Sequence, residues 1–311
     1  TQSQITKIFL RDDFGKNTDA NFKVAEWFFN KDTDYYILAL NPNKPNTWIN
    51  KGSDYLNLFY GFLHKERKQY STYTEDIKSR VHRIWEHIRI VWCSRNESQF
   101  QYVKKWICYL VAGKKLKAML YLKTIQGIGK GVITEFIRDK VIGRHCVHET
   151  KSISCIVGNF NSELMGKILL ILEEVPAETK GQWNSLGNAI KTVITNNVME
   201  IEPKGKDKIT IDNYLNVIAM TNKNAIKIED SDRRICFLDC SHEYRGNFEY
   251  FKSLCDECTN NDTVGEAFYW YCIEFVEQNP NFQSNVLPDS TNKKDLIIEN
   301  LNPLYLSLIH I

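Results

Sequence analysis

A glycine-rich turn that carries a lysine, Gln126-Gly-Ile-Gly-Lys130-Gly, is the feature that most constrains how this chain can fold. It lies between an apolar run at 118–122 and a helix-like stretch at 132–138. A strand, a glycine turn with a lysine and a helix form a unit that surrounds phosphate groups, because backbone N–H groups point at the anion. The residues expected to contact phosphate are Gly127, Ile128, Gly129, Lys130, Gly131 and Val132.

The turn departs from the full phosphate-loop pattern G-x-x-x-x-G-K-[ST] at two positions. Thr124 stands where the first glycine is expected, and Gly131 replaces the hydroxyl residue that completes the magnesium shell. Taken alone, a Gly-Lys-Gly turn is equally typical of an ordinary surface loop. The features downstream of it decide between the two interpretations.

The second feature is the apolar run 168–172, which ends in Glu173 and Glu174. Five apolar residues closed by two carboxylates indicate a buried central strand that delivers acids to one edge of a sheet. In phosphate chemistry Glu173 would bind Mg²⁺ and Glu174 would activate the attacking water. The alternative is a strand that runs into a solvated acidic turn.

Two further polar positions follow in order. Asn222 ends the apolar strand 216–221, where its side chain would sense the γ-phosphate or the attacking water. Arg233 and Arg234 precede the apolar run 235–238. An arginine at such a place can stabilise transition-state charge in a neighbouring subunit, and Arg234 is the better candidate because it directly precedes the strand. The alternative is a solvated strand edge.

Together Lys130, Glu173, Glu174, Asn222 and the arginine pair resemble the site of the superfamily 3 helicases. These are AAA+-type ring motors of viruses and mobile elements, and the chain looks most similar to the primase-helicases of poxvirus-like and phage elements. The resemblance covers roughly residues 20–305. It implies an α/β fold with an AAA+-like P-loop NTPase core and a mainly parallel central sheet, using ATP and Mg²⁺. It also implies a homo-oligomer, a hexamer by resemblance, that acts on single-stranded or forked DNA. It leaves open whether a primase domain lies upstream.

The segment between the acids and Asn222 resembles a motif of the same superfamily, in which a helix leads into a β-hairpin that enters the channel of the ring. Here a helix-like stretch at 187–195 precedes a turn with the sequence Pro-Lys-Gly-Lys-Asp at 203–207. The turn lysines would contact phosphates without reading sequence. A solvated lysine turn is the alternative. The lysines concerned are Lys204, Lys206 and Lys208.

The chain divides into segments by pattern and by resemblance. Asn161 or Ser162 is expected to cap a helix. Residues 287–294 resemble a segment with Pro, Thr and Lys that follows the motor in primase-helicases. The segment 306–311 is expected to be a non-native tail, and the chain to be a fragment cut at both ends. The expected segments are a small N-terminal module at 1–72, a helical collar at 73–113, the ATPase core at 114–245, a C-terminal helical region at 246–305 and the tail.

Charge and cysteine usage are consistent with these expectations. Residues 61–130 carry 15 Lys and Arg against 5 Asp and Glu, which suits a polyanion partner or, alternatively, solvated helix faces. No apolar run approaches the length of a membrane span, so no membrane partner is expected. Single cysteines within apolar runs indicate reduced thiols and an intracellular setting. A zinc site at Cys255 and Cys258 is disfavoured because a second well-formed pair is absent from the sequence.

Two rival functions stay open. A ring ATPase that remodels or packages nucleic acid without unwinding it would keep the ATP residues. A nucleotide-binding scaffold with a decayed site would explain Gly131 and the glutamate at 173, where aspartate is more usual. An RNA substrate also stays open, because superfamily 3 motors occur in RNA viruses, but the primase-helicase-like flanks favour DNA.

Overall fold

The computed structural model describes residues 36–123, 127–158, 160–173, 180–205, 207–221 and 233–291. The tail expected at 306–311 lies outside these residues. The strands are β1 (Tyr36–Ala39), β2 (Thr47–Asn50), β3 (Ser53–Asn57), β4 (Met119–Lys123), β5 (Val147–Thr150), β6 (Leu169–Glu173), β7 (Val198–Ile201), β8 (Ile209–Asp212), β9 (Asn216–Thr221) and β10 (Ile235–Asp239).

Helical segments cover most of the remaining described chain. The α-helices are α1 (Glu75–His87), α2 (Glu97–Val111), α3 (Lys130–Phe136), α4 (Ser154–Val157), α5 (Lys180–Thr195), α6 (Phe248–Leu254) and α7 (Asp262–Gln278). Short 3-10 turns lie at Tyr70–Thr72, Arg144–Cys146 and Ser162–Leu164, and π-helical turns lie at Ile88–Trp92, Ile137–Ile142 and Cys255–Thr259.

A five-stranded parallel sheet in the order β10-β4-β9-β6-β5 forms the centre of the chain. Its middle strand β9 is buried along its whole length, as expected of a parallel strand covered on both faces. The predicted α/β class with a parallel central sheet is therefore confirmed. A separate small sheet, β1-β3-β2, precedes it.

Helices α1 and α2 are held by caps and by an aromatic core. The Asn96 side chain accepts a hydrogen bond from Gln99 N (3.1 Å) and so caps the start of α2. Trp85 of α1 stacks on Phe268 of α7, with ring centroids 4.6 Å apart. Trp106 of α2 donates its indole N–H to the Ala118 carbonyl (2.7 Å). The predicted collar helices thus share one hydrophobic core with the sheet and with α7.

The hairpin β7–β8 is antiparallel and is anchored at its base by buried polar groups. The Lys115 ammonium donates to the carbonyls of Val193 (2.9 Å) and Leu215, and burial, more than the nearby charge of Lys117, lowers the Lys115 pKa to about 7. The Asn213 amide donates to the carbonyls of Val193 and Asn196 (2.8 and 2.9 Å). The end of α5 and the base of the hairpin are therefore fixed to the start of β9.

No helix within the described ranges is both long and apolar enough to span a bilayer.

Candidate functional site

The carboxyl ends of the parallel strands bring the Gly-Lys turn and Glu173 to one edge of the sheet. Lys123, the last residue of β4, pairs with Thr221 of β9, and Glu173 of β6 pairs with Met220. One strand thus separates β4 from β6, which places their ends about 10 Å apart. Glu174 and Asn222 directly follow β6 and β9 in sequence but lie outside the described residues, so their predicted roles stay predictions.

Two glycines with positive φ shape the turn that follows β4. Gly127 has φ 81° and Gly129 has φ 78°, in the left-handed region where a side chain is strained. Gly129 is the N-cap of α3, and Val132 N donates to its carbonyl (3.3 Å). The helix begins at Lys130 and continues through the π-helical turn Ile137–Ile142. The predicted strand, glycine turn and helix therefore occur in that order.

The Lys130 side chain ends in a buried position. Its Nζ atom is shielded from solvent and has no hydrogen-bond partner among the residues that the structure describes. Cys240, directly after β10, lies within its electrostatic field. Burial raises the Cys240 pKa to about 12, and the Lys130 charge opposes that rise. An ammonium held in this way is suited to bind an anion, since an unpaired buried charge is costly.

Glu173 is half-buried at the same edge. A carboxylate is a ligand type that Mg²⁺ prefers, so the residue fits the predicted metal role. Arg138, in the π-helical turn after α3, lies near enough for the Glu173 charge to help raise the Arg138 pKa, although its hydrogen bond to Asp139 contributes most. Arg138 also pairs with Glu149 of the edge strand β5. This arginine was not singled out from the sequence.

An aromatic wall formed by His87, Tyr244, Tyr250 and Phe251 lies against the Gly-Lys turn. A Cβ on Gly129 would stand 2.1 Å from Phe251 Cε1, so the ring and the turn are in direct contact. His87 Nδ1 lies 2.9 Å from the Tyr250 hydroxyl, and the rings of Tyr244 and Tyr250 stack with centroids 3.7 Å apart. Residues 87 and 251 are far apart in sequence, and no local pattern predicts their contact.

Burial governs the charge of His87. The side chain is fully buried, and its pKa is lowered to about 4 because burial disfavours the imidazolium; the Gly129 backbone acts in the opposite direction. The ring is therefore neutral near pH 7. A neutral ring adds no positive charge beside the turn.

Arg233 and Arg234 lie at the opposite edge of the sheet. The Arg234 carbonyl accepts from Met119 N (2.8 Å) at the start of β4, and β10 begins one residue later. The five residues of β10 span about 17 Å, so the arginines stand away from the Gly-Lys turn of their own chain. Arg233 is exposed and Arg234 half-buried. This placement suits residues that act in a neighbouring subunit.

The hairpin lysines differ from one another in their surroundings. Lys204 is exposed in the turn, and Lys206 lies outside the described residues. The Lys208 ammonium is paired with the carboxylates of Glu202 (3.0 Å) and Glu200 (3.9 Å) on the same hairpin. Lys204 is therefore better placed than Lys208 to meet a phosphate.

Two predicted accessory segments have structural roles. Of the two expected caps, Asn161 and Ser162, Asn161 occupies the N-cap position of the 3-10 turn Ser162–Leu164. Its side chain makes no cap hydrogen bond, however, and instead bridges the hairpin backbone. Its amide donates to the Glu200 carbonyl, and its Oδ1 accepts from Glu202 N, both at 2.8 Å. At the other segment, the Asp239 carboxylate accepts from the Ser290 hydroxyl (2.9 Å) and from Thr291 N (3.0 Å), which docks residues 290–291 on β10.

One group of side chains is close enough to share a metal ion within the described ranges. It consists of His148, Cys155 and Glu163 and does not include Cys255 or Cys258.

Comparison with known proteins gives three similarities. Residues 122–234 match a family of unknown function, DUF5906. The chain is 24% identical over 266 residues to a DNA primase-polymerase of Nitratiruptor phage NrS-1, which covers 85% of this chain and 35% of that protein. The chain thus spans about a third of the length of this relative.

Two solved structures extend the similarity to the fold. The apo structure of the NrS-1 C-terminal region superposes with a TM-score of 0.68 at 21% identity, covering 92% of this chain and 67% of that one. The A form apo structure of the same region gives a TM-score of 0.68 at 20% identity, with the same coverage. The chain is therefore similar in sequence to a phage DNA primase-polymerase and shares the fold of the NrS-1 C-terminal region.

Proposed function

We propose that this chain is the ATP-driven motor of a DNA-replication protein, of the superfamily 3 helicase kind, that moves along single-stranded DNA. The observation that carries this proposal is the buried Lys130 ammonium, which has no hydrogen-bond partner among the described residues. It lies at the edge of the sheet where β6 ends in Glu173. Burial of an unpaired charge costs several kcal/mol, on the order of the stabilisation that a bound phosphate would return. The turn backbone offers N–H groups to the same anion.

The roles proposed for the individual residues are those that the resemblance implies. ATP with Mg²⁺ supplies the phosphoanhydride bond whose hydrolysis drives the motor. Lys130 binds the β- and γ-phosphates, and Glu173 holds the metal ion. Glu174 accepts a proton from the attacking water, and Asn222 senses the γ-phosphate. Arg234 of a neighbouring subunit stabilises the transition-state charge, which requires an oligomer, by resemblance a hexamer.

The similarity to a phage DNA primase-polymerase supports DNA replication as the setting. The proposal therefore includes forked or single-stranded DNA as the partner and a primase domain elsewhere in the same protein. The hairpin β7–β8, with Lys204 exposed at its turn, supports contact with the DNA backbone.

The test of this function is phosphate release with and without single-stranded DNA, followed by strand displacement on forked DNA. Lys130→Ala is expected to abolish turnover and to weaken nucleotide binding, whereas Lys65→Ala, an exposed lysine on another surface, should behave as wild type. ATP hydrolysis without strand displacement would favour a remodelling or packaging ATPase. Nucleotide binding without hydrolysis by the wild type would favour the scaffold, the alternative that Gly131 supports.

A further inference from the structure

A cluster of three different ligand side chains lies away from the Gly-Lys turn, beside the edge strand of the sheet. It consists of His148 on β5, Cys155 on α4 and Glu163 in the 3-10 turn Ser162–Leu164. One ligand atom from each residue lies within 4.8 Å of the other two, and His148 Nε2 is 3.9 Å from Glu163 Oε1. From this geometry we propose that the three residues form a Zn²⁺ site.

The donor set is one that zinc accepts. Zn²⁺ binds thiolate, imidazole and carboxylate, whereas Mg²⁺ and Ca²⁺ take oxygen ligands and bind a buried sulfur poorly. Bond lengths of about 2.0–2.3 Å in a tetrahedral site put neighbouring ligand atoms about 3.3–3.7 Å apart. Ligand atoms that now lie up to 4.8 Å apart therefore have to approach one another by up to about 1.5 Å. Glu163 is exposed and can supply that movement, while Cys155 is buried and His148 half-buried.

Zinc binding at this site balances as a proton exchange. The S–H bond of Cys155 breaks, its proton passes to solvent, and the thiolate sulfur bonds to the metal. His148 and Glu163 donate lone pairs, and water takes the fourth position. In the structure, the Cys155 thiol makes a weak contact with the Ser152 carbonyl, 3.7 Å away. The bond from sulfur to the metal would replace this contact.

The site is connected to the hairpin through Asn161, two residues before Glu163. The Asn161 side chain holds the backbone of the hairpin at Glu200 and Glu202. A cavity of about 400 Å³ lies between the cluster and the hairpin, lined in part by Cys155, Asn161 and Met199. A metal ion that joins β5, α4 and the 3-10 turn would therefore stiffen the support of the hairpin. That this hairpin contacts DNA rests on the proposed function, but zinc binding does not.

Metal analysis of tag-free protein tests the site. The wild type is expected to retain one Zn²⁺ per chain and to give a thiolate-to-metal absorption band when loaded with Co²⁺. Cys155→Ser and Glu163→Gln should each weaken Zn²⁺ binding at least tenfold. Loss of even a residue that only hydrogen-bonds to a ligand typically weakens metal binding by about 10–100-fold. Cys146→Ser is the matched control, since this buried cysteine lies just before β5 and outside the cluster. Wild-type protein without stoichiometric zinc, or Cys155→Ser with unchanged affinity, would overturn the proposal.

Hydrogen exchange of residues 198–212 with Zn²⁺ and after chelation tests the connection to the hairpin. Zinc should slow exchange in the wild type and leave Cys155→Ser unchanged. Equal exchange in zinc-bound and chelated wild type would contradict the connection. Neither measurement uses ATP, so failure here is distinguishable from failure of the motor proposal.

Discussion

The ring of Phe251 lies directly against Gly129, so close that a Cβ at position 129 would be 2.1 Å from Phe251 Cε1. This contact joins α6 to the Gly-Lys turn. It makes residue 129 sensitive both to backbone strain and to crowding, and the two effects can be separated experimentally.

Gly129→Ala is expected to destabilise the protein by more than Gly127→Ala. Both glycines have positive φ, which costs an alanine roughly 1–2 kcal/mol. Among the residues with described positions, a Cβ at Gly127 meets nothing within 4 Å, whereas one at Gly129 meets Phe251. Crowding should add about 1–3 kcal/mol. Urea unfolding of the two variants measures the difference, and equal losses of stability would contradict the contact.

His87 should make the protein less stable in mild acid. Its pKa is about 4 in the fold and near 6.5 when unfolded, so the unfolded chain takes up a proton first as the pH falls. The contribution is complete above about pH 6.5 and is lost as the pH falls toward 4, by up to about 3 kcal/mol. Between pH 7 and pH 4, the free energy of unfolding should fall more steeply with falling pH in the wild type than in His87→Gln. The exposed His82→Gln variant should keep the wild-type slope, and an unchanged slope in His87→Gln would refute the assignment.

Gly131→Ser should increase hydrolysis at low Mg²⁺ concentration. A Cβ at this position meets only Glu135 Oε1, at 3.6 Å, so the side chain fits. The new hydroxyl would stand where the phosphate-loop pattern places the residue that helps to hold Mg²⁺. Mg²⁺ titration of ATPase activity measures the effect. Gly187→Ser controls for helix stabilisation, because it changes another helical glycine with open space around it among the described residues. An identical Mg²⁺ requirement in Gly131→Ser and wild type would contradict the prediction.

Arg234→Ala should lower DNA-stimulated ATPase activity by roughly 10³-fold while leaving nucleotide binding intact. If the arginine acts across a subunit boundary, mixing Arg234→Ala with Lys130→Ala chains should restore part of the activity, because some interfaces combine both intact residues. The exposed Arg245→Ala variant should behave as wild type. Full activity of Arg234→Ala alone would exclude the role.

Lys204→Ala should weaken binding to single-stranded DNA. The slope of log K against log salt concentration should become shallower by about 0.7, the value for one phosphate contact. Lys208→Ala should have a smaller effect because its charge is already paired with Glu202. Basal ATPase activity should be spared in both variants. Fluorescence anisotropy across a salt series measures the slopes, and equal effects of the two changes would refute the distinction.

The central strands were predictable because each is a continuous apolar run. The runs at 118–122, 168–172, 216–221 and 235–238 correspond to β4, β6, β9 and β10 within a residue or so. The parallel direction of the strands also follows from their alternation with helices along the chain. The edge strand β5, with the sequence Val-His-Glu-Thr, was missed because half-burial at a sheet edge leaves no apolar run to detect.

The missed part of the site depends on contacts between distant residues. These residues are His87 on α1, Arg138 in the π-helical turn after α3, and Phe251 on α6. They reach the Gly-Lys turn or Glu173 through packing, and the sequence around each is ordinary. Asn161 was predicted to be a cap because asparagine favours that position. Its side chain instead satisfies two backbone groups of the hairpin, a pairing that local sequence does not reveal.

Helix α5 begins at Lys180, soon after Glu173, and ends at Thr195, where Lys115 and Asn213 fix it to the start of β9. Its 16 residues measure about 24 Å. Because a helix of this length moves as a rigid rod, a small tilt at the carboxyl edge of the sheet would displace β7 and β8 at the far edge. The carboxyl edge of the sheet and the base of the hairpin are thus connected by one continuous helix.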